Sequence, residues 1–223
     1  MDSSSSSPTP QQKHRYRVVV MGAAGVGKTS ILTQFLYQRF VDEYHATVEE
    51  MYTEDYLING MDVTLDFLDT AGSYEFPAMR KLSIQTADAF ILVYSVDDEA
   101  SYEEVANIRE QILVEKNCDD EDEVPIVIVG NKADCDKEKR QVQRELAETT
   151  ANIDWDNGYV EASAKENVNV SAIFRELLRQ VNVSVTHNKS MLRRWDSAPI
   201  FSELPEPSKK QDKASLKNGC RIS

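Results

Sequence analysis

Residues 21–30 read MGAAGVGKTS and follow directly on RYRVVV at 15–20. The valine run, with ILTQFLYQRF after the interruption, predicts a buried strand feeding a helix. Glycines at such a junction let backbone N–H groups turn inward and approach an anion. The pattern Gly22-x-x-x-x-Gly27-Lys28-Thr29 fits a phosphate-binding loop, with Ala24, Gly25 and Val26 inside it and Ser30 behind Thr29. Alone, these residues would also describe an ordinary turn rich in small side chains. The strand-turn-helix setting argues for the phosphate loop.

Outward from this loop, strands and helices alternate. RYRVVVM predicts a strand and KTSILTQFLYQRF a helix. EEMYTEDYLI, Asn59-Gly60 and MDVTLDFLD predict a β-hairpin with a tight turn. AFILVYSV and PIVIVG are apolar throughout, as expected of strands covered on both faces. SYEEVANIREQILVEK carries Val105, Ile108 and Ile112 at helical spacing, and VSAIFRELLRQV does the same with Ile173, Leu177 and Leu178. This order predicts an α/β three-layer sandwich, a six-stranded, mostly parallel sheet with one antiparallel strand. The Ser/Pro/Gln-rich residues 1–15 read as a disordered extension, 16–185 as one domain and 186–223 as a flexible tail.

Of the 223 residues, 41% are hydrophobic, enough for a real core. No apolar run approaches a membrane span, and the first residues lack the apolar stretch of a signal peptide. Asp2 does not fit N-myristoylation. Cys118, Cys135 and Cys220 show neither paired nor metal-ligand spacing, which fits free thiols in a reducing compartment. Cys118 and Cys135 read as incidental. The net charge of −13 is uneven: residues 1–17 carry +2 and 186–223 carry +4, leaving −19 between. Such a centre repels nucleic acid. The acidic run NCDDEDE at 117–123 reads as a solvated loop, with a partner site as the alternative.

Four further segments narrow the chemistry. LDTAG ends a strand at Asp69, where a carboxylate can hold Mg²⁺ through water, and Gly72 offers an N–H to a terminal phosphate. Asn131-Lys132-Ala133-Asp134 follows PIVIVG; the Asp134 carboxylate can accept from both N1–H and the 2-amino group of guanine, a pair adenine lacks. Glu161-Ala162-Ser163-Ala164-Lys165 can present the Ala164 N–H to the guanine 6-oxygen. Thr47 lies on a polar segment and offers a hydroxyl to Mg²⁺.

With these motifs in this order, residues 16–185 resemble the Ras-like small GTPases. The resemblance implies GTP and GDP as ligands, with Mg²⁺. Lys28 would pair the β- and γ-phosphates, Thr29 would ligate Mg²⁺, and Thr47 would close on Mg²⁺ and the γ-phosphate. Asp69 would hold the ion through water, and Phe40 would lie edge-on against the base. Asn131, Asp134, Ser163, Ala164 and Lys165 would form the guanine pocket, flanked by Lys132. Residues 40–50 and 70–82 would be switches, ordered by the γ-phosphate. Effectors would bind through residues 43–52, an exchange factor and a GTPase-activating protein would act on the chain, and it would be a monomer. A nucleotide kinase, the competing reading, is disfavoured by the guanine motif and the lack of an acceptor site or lid.

Most of the family has Gln after DTAG to orient the attacking water; here Ser73 stands there, too short to do so. Where Ras has Gly, this loop has Ala24, whose methyl crowds the same space. Both departures predict slow hydrolysis with binding spared; the alternative is a constitutively GTP-loaded module with negligible hydrolysis. The Gln-less switch followed by FPAM is similar to the Di-Ras and Dexras/Rhes branch, with the Rap branch second. In Rap-like proteins a partner supplies an Asn, so assisted hydrolysis near Tyr44 stays open. Cys220-Arg221-Ile222-Ser223 fits farnesylation, and Lys209, Lys210, Lys213 and Lys217 supply the second signal that one lipid needs. The expected location is the cytoplasmic face of the plasma membrane, against anionic lipid.

Overall fold

The computed structural model describes residues 14–43, 45–58, 61–72, 77–117 and 124–181. Strands β1 (His14–Met21), β2 (Glu50–Ile58), β3 (Met61–Asp69), β4 (Ala89–Ser95), β5 (Ile126–Asn131) and β6 (Gly158–Glu161) form one sheet in the order β2-β3-β1-β4-β5-β6. β2 runs antiparallel to β3, and every other pair is parallel. Ile58 pairs with Met61, the register a two-residue link requires. The Asn59-Gly60 turn itself lies outside the described residues.

Alternation along β1 divides the core. Val18 and Val20 face the layer of α1 (Lys28–Tyr37) and α5 (Val170–Gln180), where Phe35 stacks on Phe174 at 3.6 Å. Val19 and Met21 face α2 (Pro77–Thr86), α3 (Glu99–Lys116) and the short α4 (Arg144–Thr149), meeting Ile84, Val105, Ile108 and Ala147. β4 and β5 are buried along their whole length, so they read as unbroken apolar runs.

Several boundaries differ from the sequence expectation, each for a local reason. α1 stops at Tyr37 rather than Phe40: Gln38 turns left-handed (φ 51°) and its N–H closes on Gln34 O at 3.0 Å. α3 starts two residues early because Asp98 caps it, accepting from the Ser101 N–H. α2 and α4 were not expected as helices. α2 buries only Ser83 and Ile84, and α4 only Ala147, too few to print a period. A π-helical turn over Thr150–Asp154 follows α4. No helix among the described residues is long and apolar enough to cross a membrane.

Candidate functional site

The parallel topology brings the ends of β1, β3, β5 and β6 to one edge, where α/β sheets bind ligands. A cavity of about 730 Å³ opens there. Ala24, Gly25, Gly27, Lys28, Thr29 and Ser30 line it from the phosphate loop, with Phe40 and Thr47 from the segment after α1. Gly72, Asn131, Lys132, Asp134, Ala164 and Lys165 complete the lining anticipated from sequence. Gly22, Val26, Asp69 and Ser163 stand behind that surface and support it. Ser73, Tyr44 and Cys220 lie outside the described residues. A groove of about 840 Å³ between α2 and α3 holds none of these residues.

The phosphate loop is held open by its own sequence. Gly27 caps α1 with φ +95°, and a Cβ there would lie 2.4 Å from Asn131 Nδ2, so a side chain is excluded by both conformation and space. Lys28 is buried, with Nζ donating to Gly22 O (3.0 Å) and Ala23 O (2.8 Å). Burial pushes its ammonium down to about 8, against the pull of Asp69. A cation kept in a dry loop at a helix N-terminus favours an anionic ligand.

Thr29, Thr47 and Asp69 converge although 18 and 40 residues separate Thr29 from the others. Thr29 Oγ1 donates to Asp69 Oδ2 at 2.5 Å and lies 2.9 Å from Thr47 Oγ1. Asp69 is fully buried, and its Oδ1 has no hydrogen-bond partner. Burial pushes this carboxyl up to about 6, opposed by the Thr29 hydrogen bond and Lys28. An orphaned buried carboxylate oxygen costs stability unless something else uses it. Two hydroxyls and one carboxylate are hard oxygen donors, the set Mg²⁺ takes when phosphates and water complete its shell. The residues therefore fit that ion. No cluster of three or more His, Cys, Asp or Glu with metal-site geometry occurs among the described residues.

On the other side of the loop, Asn131 is a buried bracket. Its Nδ2 donates to Val26 O (2.8 Å), and its Oδ1 accepts from the Ala164 N–H (3.1 Å). One side chain thus ties the phosphate loop to the segment after β6. The Ala164 N–H expected to face the guanine 6-oxygen is already engaged, so a base would share it with Asn131. Ser163 Oγ donates to Asp134 Oδ1 (2.6 Å) and accepts from the Glu166 N–H (3.0 Å), which orients the carboxylate.

Sequence reading missed part of the rim. Thr33, Val41, Asp42, Glu43, His45, Asp97, Asp136 and Lys139 also line the cavity. Cys135, read as incidental, lines it too. Val41, Asp42, Glu43 and His45 fall within the 40–50 segment already expected to close on the phosphates, and Asp97 had a signal too: it follows β4, a central strand whose end had to abut the site.

The Ras family profile matches residues 17–183. GTP-binding protein Rhes is 46% identical over 167 residues in mouse, in rat and in human. The match covers 73% of this chain and 63% of each relative, so the chain spans less than two thirds of their length. That likeness agrees with the Dexras/Rhes branch. With its phosphate loop and six-stranded sheet in place, the chain belongs to the Ras family of small GTPases.

Proposed function

We propose that this protein is a signalling switch that binds GTP and GDP with Mg²⁺, hydrolyses GTP slowly and works at a membrane. The observation that carries the reading is the Asn131 bracket beside the Ser163–Asp134 bond: one rigid unit serves both a phosphate loop and a base-reading carboxylate. Rhes, the relative, is named as GTP-binding. Mg²⁺, when bound, would neutralise charge on the β- and γ-phosphates, and Thr29, Thr47 and Asp69 would hold it. Lys28 would hold the same phosphates, and Thr47 would order the 40–50 segment around them. Effectors would meet residues 43–52, where Val48 is 84% exposed beside the acidic Glu49 and Glu50. An exchange factor and an activating protein would set its state, and it would work as a monomer.

Slow hydrolysis rests on Ser73 and Ala24. A Cβ on Gly72 would lie 2.4 Å from Ala24 Cα, so the phosphate loop and the start of the second switch are in direct contact. The unmutated protein is expected at or below the roughly 10⁻⁴ s⁻¹ scale of unassisted Ras. Ser73→Gln should raise the rate only modestly while Ala24 crowds the new amide. Ser73→Gln with Ala24→Gly should exceed the sum of the single effects in log rate, as neighbours sharing one site do. Single-turnover phosphate release from all four proteins is the test. Fast hydrolysis without substitution, or strict additivity, refutes the assignment. A rate that stays negligible even with cell extract favours the constitutively loaded reading.

Attachment rests on Cys220 and the basic tail. Cys220→Ser is expected to move the protein from membrane to soluble fraction, and added salt to weaken attachment of the unmutated protein, because the lysines act through screened charge. Binding that ignores both changes would sink this part of the reading.

A further inference from the structure

One ion pair outside the cavity differs from the others near it. The Arg140 guanidinium meets both oxygens of Glu161, Nη2 to Oε1 at 2.8 Å and Nη1 to Oε2 at 3.0 Å, and Nη1 also donates to Val142 O. The two side chains are only 19% and 10% exposed. The neighbouring Lys139–Asp136 and Arg144–Glu148 pairs stand largely in water, where such pairs contribute little. A bidentate pair withdrawn from water fixes geometry, and losing one partner leaves a costly buried charge.

Its place in the fold gives that rigidity a use. Arg140 ends the segment that runs on from Asp134 along the cavity rim through Asp136 and Lys139, and the next two N–H groups, of Gln141 and Val142, dock on Val96 O. Glu161 ends β6, two residues before Ser163. Its carbonyl accepts from Asn169 Nδ2 at 2.8 Å, and the following Ala162 N–H donates to Gly130 O at 2.8 Å. The two base-reading segments are therefore joined at the cavity by Ser163–Asp134 and by Asn131 on the Ala164 N–H, along their backbones by the Ala133 N–H on Ala162 O at 3.0 Å, and behind the cavity by Arg140–Glu161, the contact that reaches the segment after Asp134.

We infer that Arg140 and Glu161 are positioning residues for base recognition, holding the segment after Asp134 against β6 so that Ser163 keeps the Asp134 carboxylate aimed at the base. This rests on the proposed guanine-nucleotide binding and adds residues that touch no ligand. Without the pair, the 135–141 segment shifts relative to β6 and the Ser163–Asp134 bond loosens. The loss falls hardest on a base that uses both Asp134 contacts. Guanine has two donors there, whereas hypoxanthine lacks the 2-amino group and has one.

The test measures release of GDP and of inosine diphosphate from the full chain, unmutated and as Arg140→Ala, Arg140→Lys, Glu161→Gln and Arg144→Ala. Arg140→Ala is expected to release GDP about tenfold faster, the scale of effects from residues without ligand contact. The preference for GDP over inosine diphosphate should narrow in the same variant. Arg140→Lys should recover part of it, since an ammonium cannot make the fork. Arg144→Ala, at an exposed pair on α4, should match the unmutated protein. General loosening would speed both nucleotides equally, so equal acceleration, or no change, overturns the inference. If Arg140→Ala fails to fold, Glu161→Gln decides by the same preference: narrowed supports, unchanged overturns. Failure of the unmutated protein to prefer GDP over ADP would instead overturn the guanine reading itself.

Discussion

Asp134→Asn is expected to cost GDP and GTP about 10²- to 10⁴-fold in affinity and to create binding of xanthosine nucleotides. Two hydrogen bonds to a charged acceptor are at stake, each about 1.5–3 kcal/mol. The substitution keeps the shape of the side chain. Its amide oxygen can still accept from Ser163 Oγ, which now holds Asp134 Oδ1 at 2.6 Å. That leaves the amide NH₂ toward the base, donor against donor for guanine. Xanthine has an oxygen where guanine has its 2-amino group, so the same NH₂ gains an acceptor. Competition between guanosine and xanthosine diphosphates on both proteins measures the switch. Unchanged guanine affinity would show that another group reads the base.

For Asp69→Asn, two opposite effects are expected. The nucleotide- and metal-free protein should become more stable at pH 7.5, by as much as about 3 kcal/mol, while the dependence of GDP affinity on Mg²⁺ collapses. The first effect follows from burial, which pushes the Asp69 carboxyl from 3.8 up to about 6. Between those values the folded chain keeps a proton that the unfolded chain has released. Stability from this group is therefore full below about pH 4, falls as pH rises to about 6, and stays reduced above. Two units correspond to about 3 kcal/mol. An amide carries no such penalty, so the gain should shrink toward zero near pH 4. Lys28 loses a countercharge in the variant, which trims the gain. Urea unfolding across that pH range, with GDP titrations in Mg²⁺ and in chelator, gives both readouts. Destabilisation at pH 7.5 would refute the burial penalty on Asp69, and intact Mg²⁺ dependence would remove Asp69 from the metal site. The expected trade identifies Asp69 as a residue kept at a cost to the free protein.

Elements with a strong period were legible before any coordinates. β4 and β5 could only be doubly covered strands, and α3 and α5 announced themselves by apolar residues on one face. α2 and α4 were not legible, because a helix that buries one or two side chains leaves no period to read. The end of α1 was misjudged because its stop signal is a left-handed Gln38, a conformation any reading by propensity assigns to Gly or Asn.

By itself, the sequence determined which groups the site contains. Gly27, Lys28 and Thr29 at one spacing, Asp69 after a strand, and Asn131 to Asp134 after another each carry their chemistry in their residue types. Tertiary structure decided how they act on one another. That Asn131 holds Val26 and Ala164 together, that Asp69 is buried deeply enough to shift its proton, and that Arg140 reaches Glu161 are results of packing between residues 21 to 105 positions apart. Such contacts depend on strand order and register, which bring the ends of β3, β1, β4, β5 and β6 to one edge of the sheet. Local sequence specifies the strands; the order follows only when both faces of the sheet are buried at once.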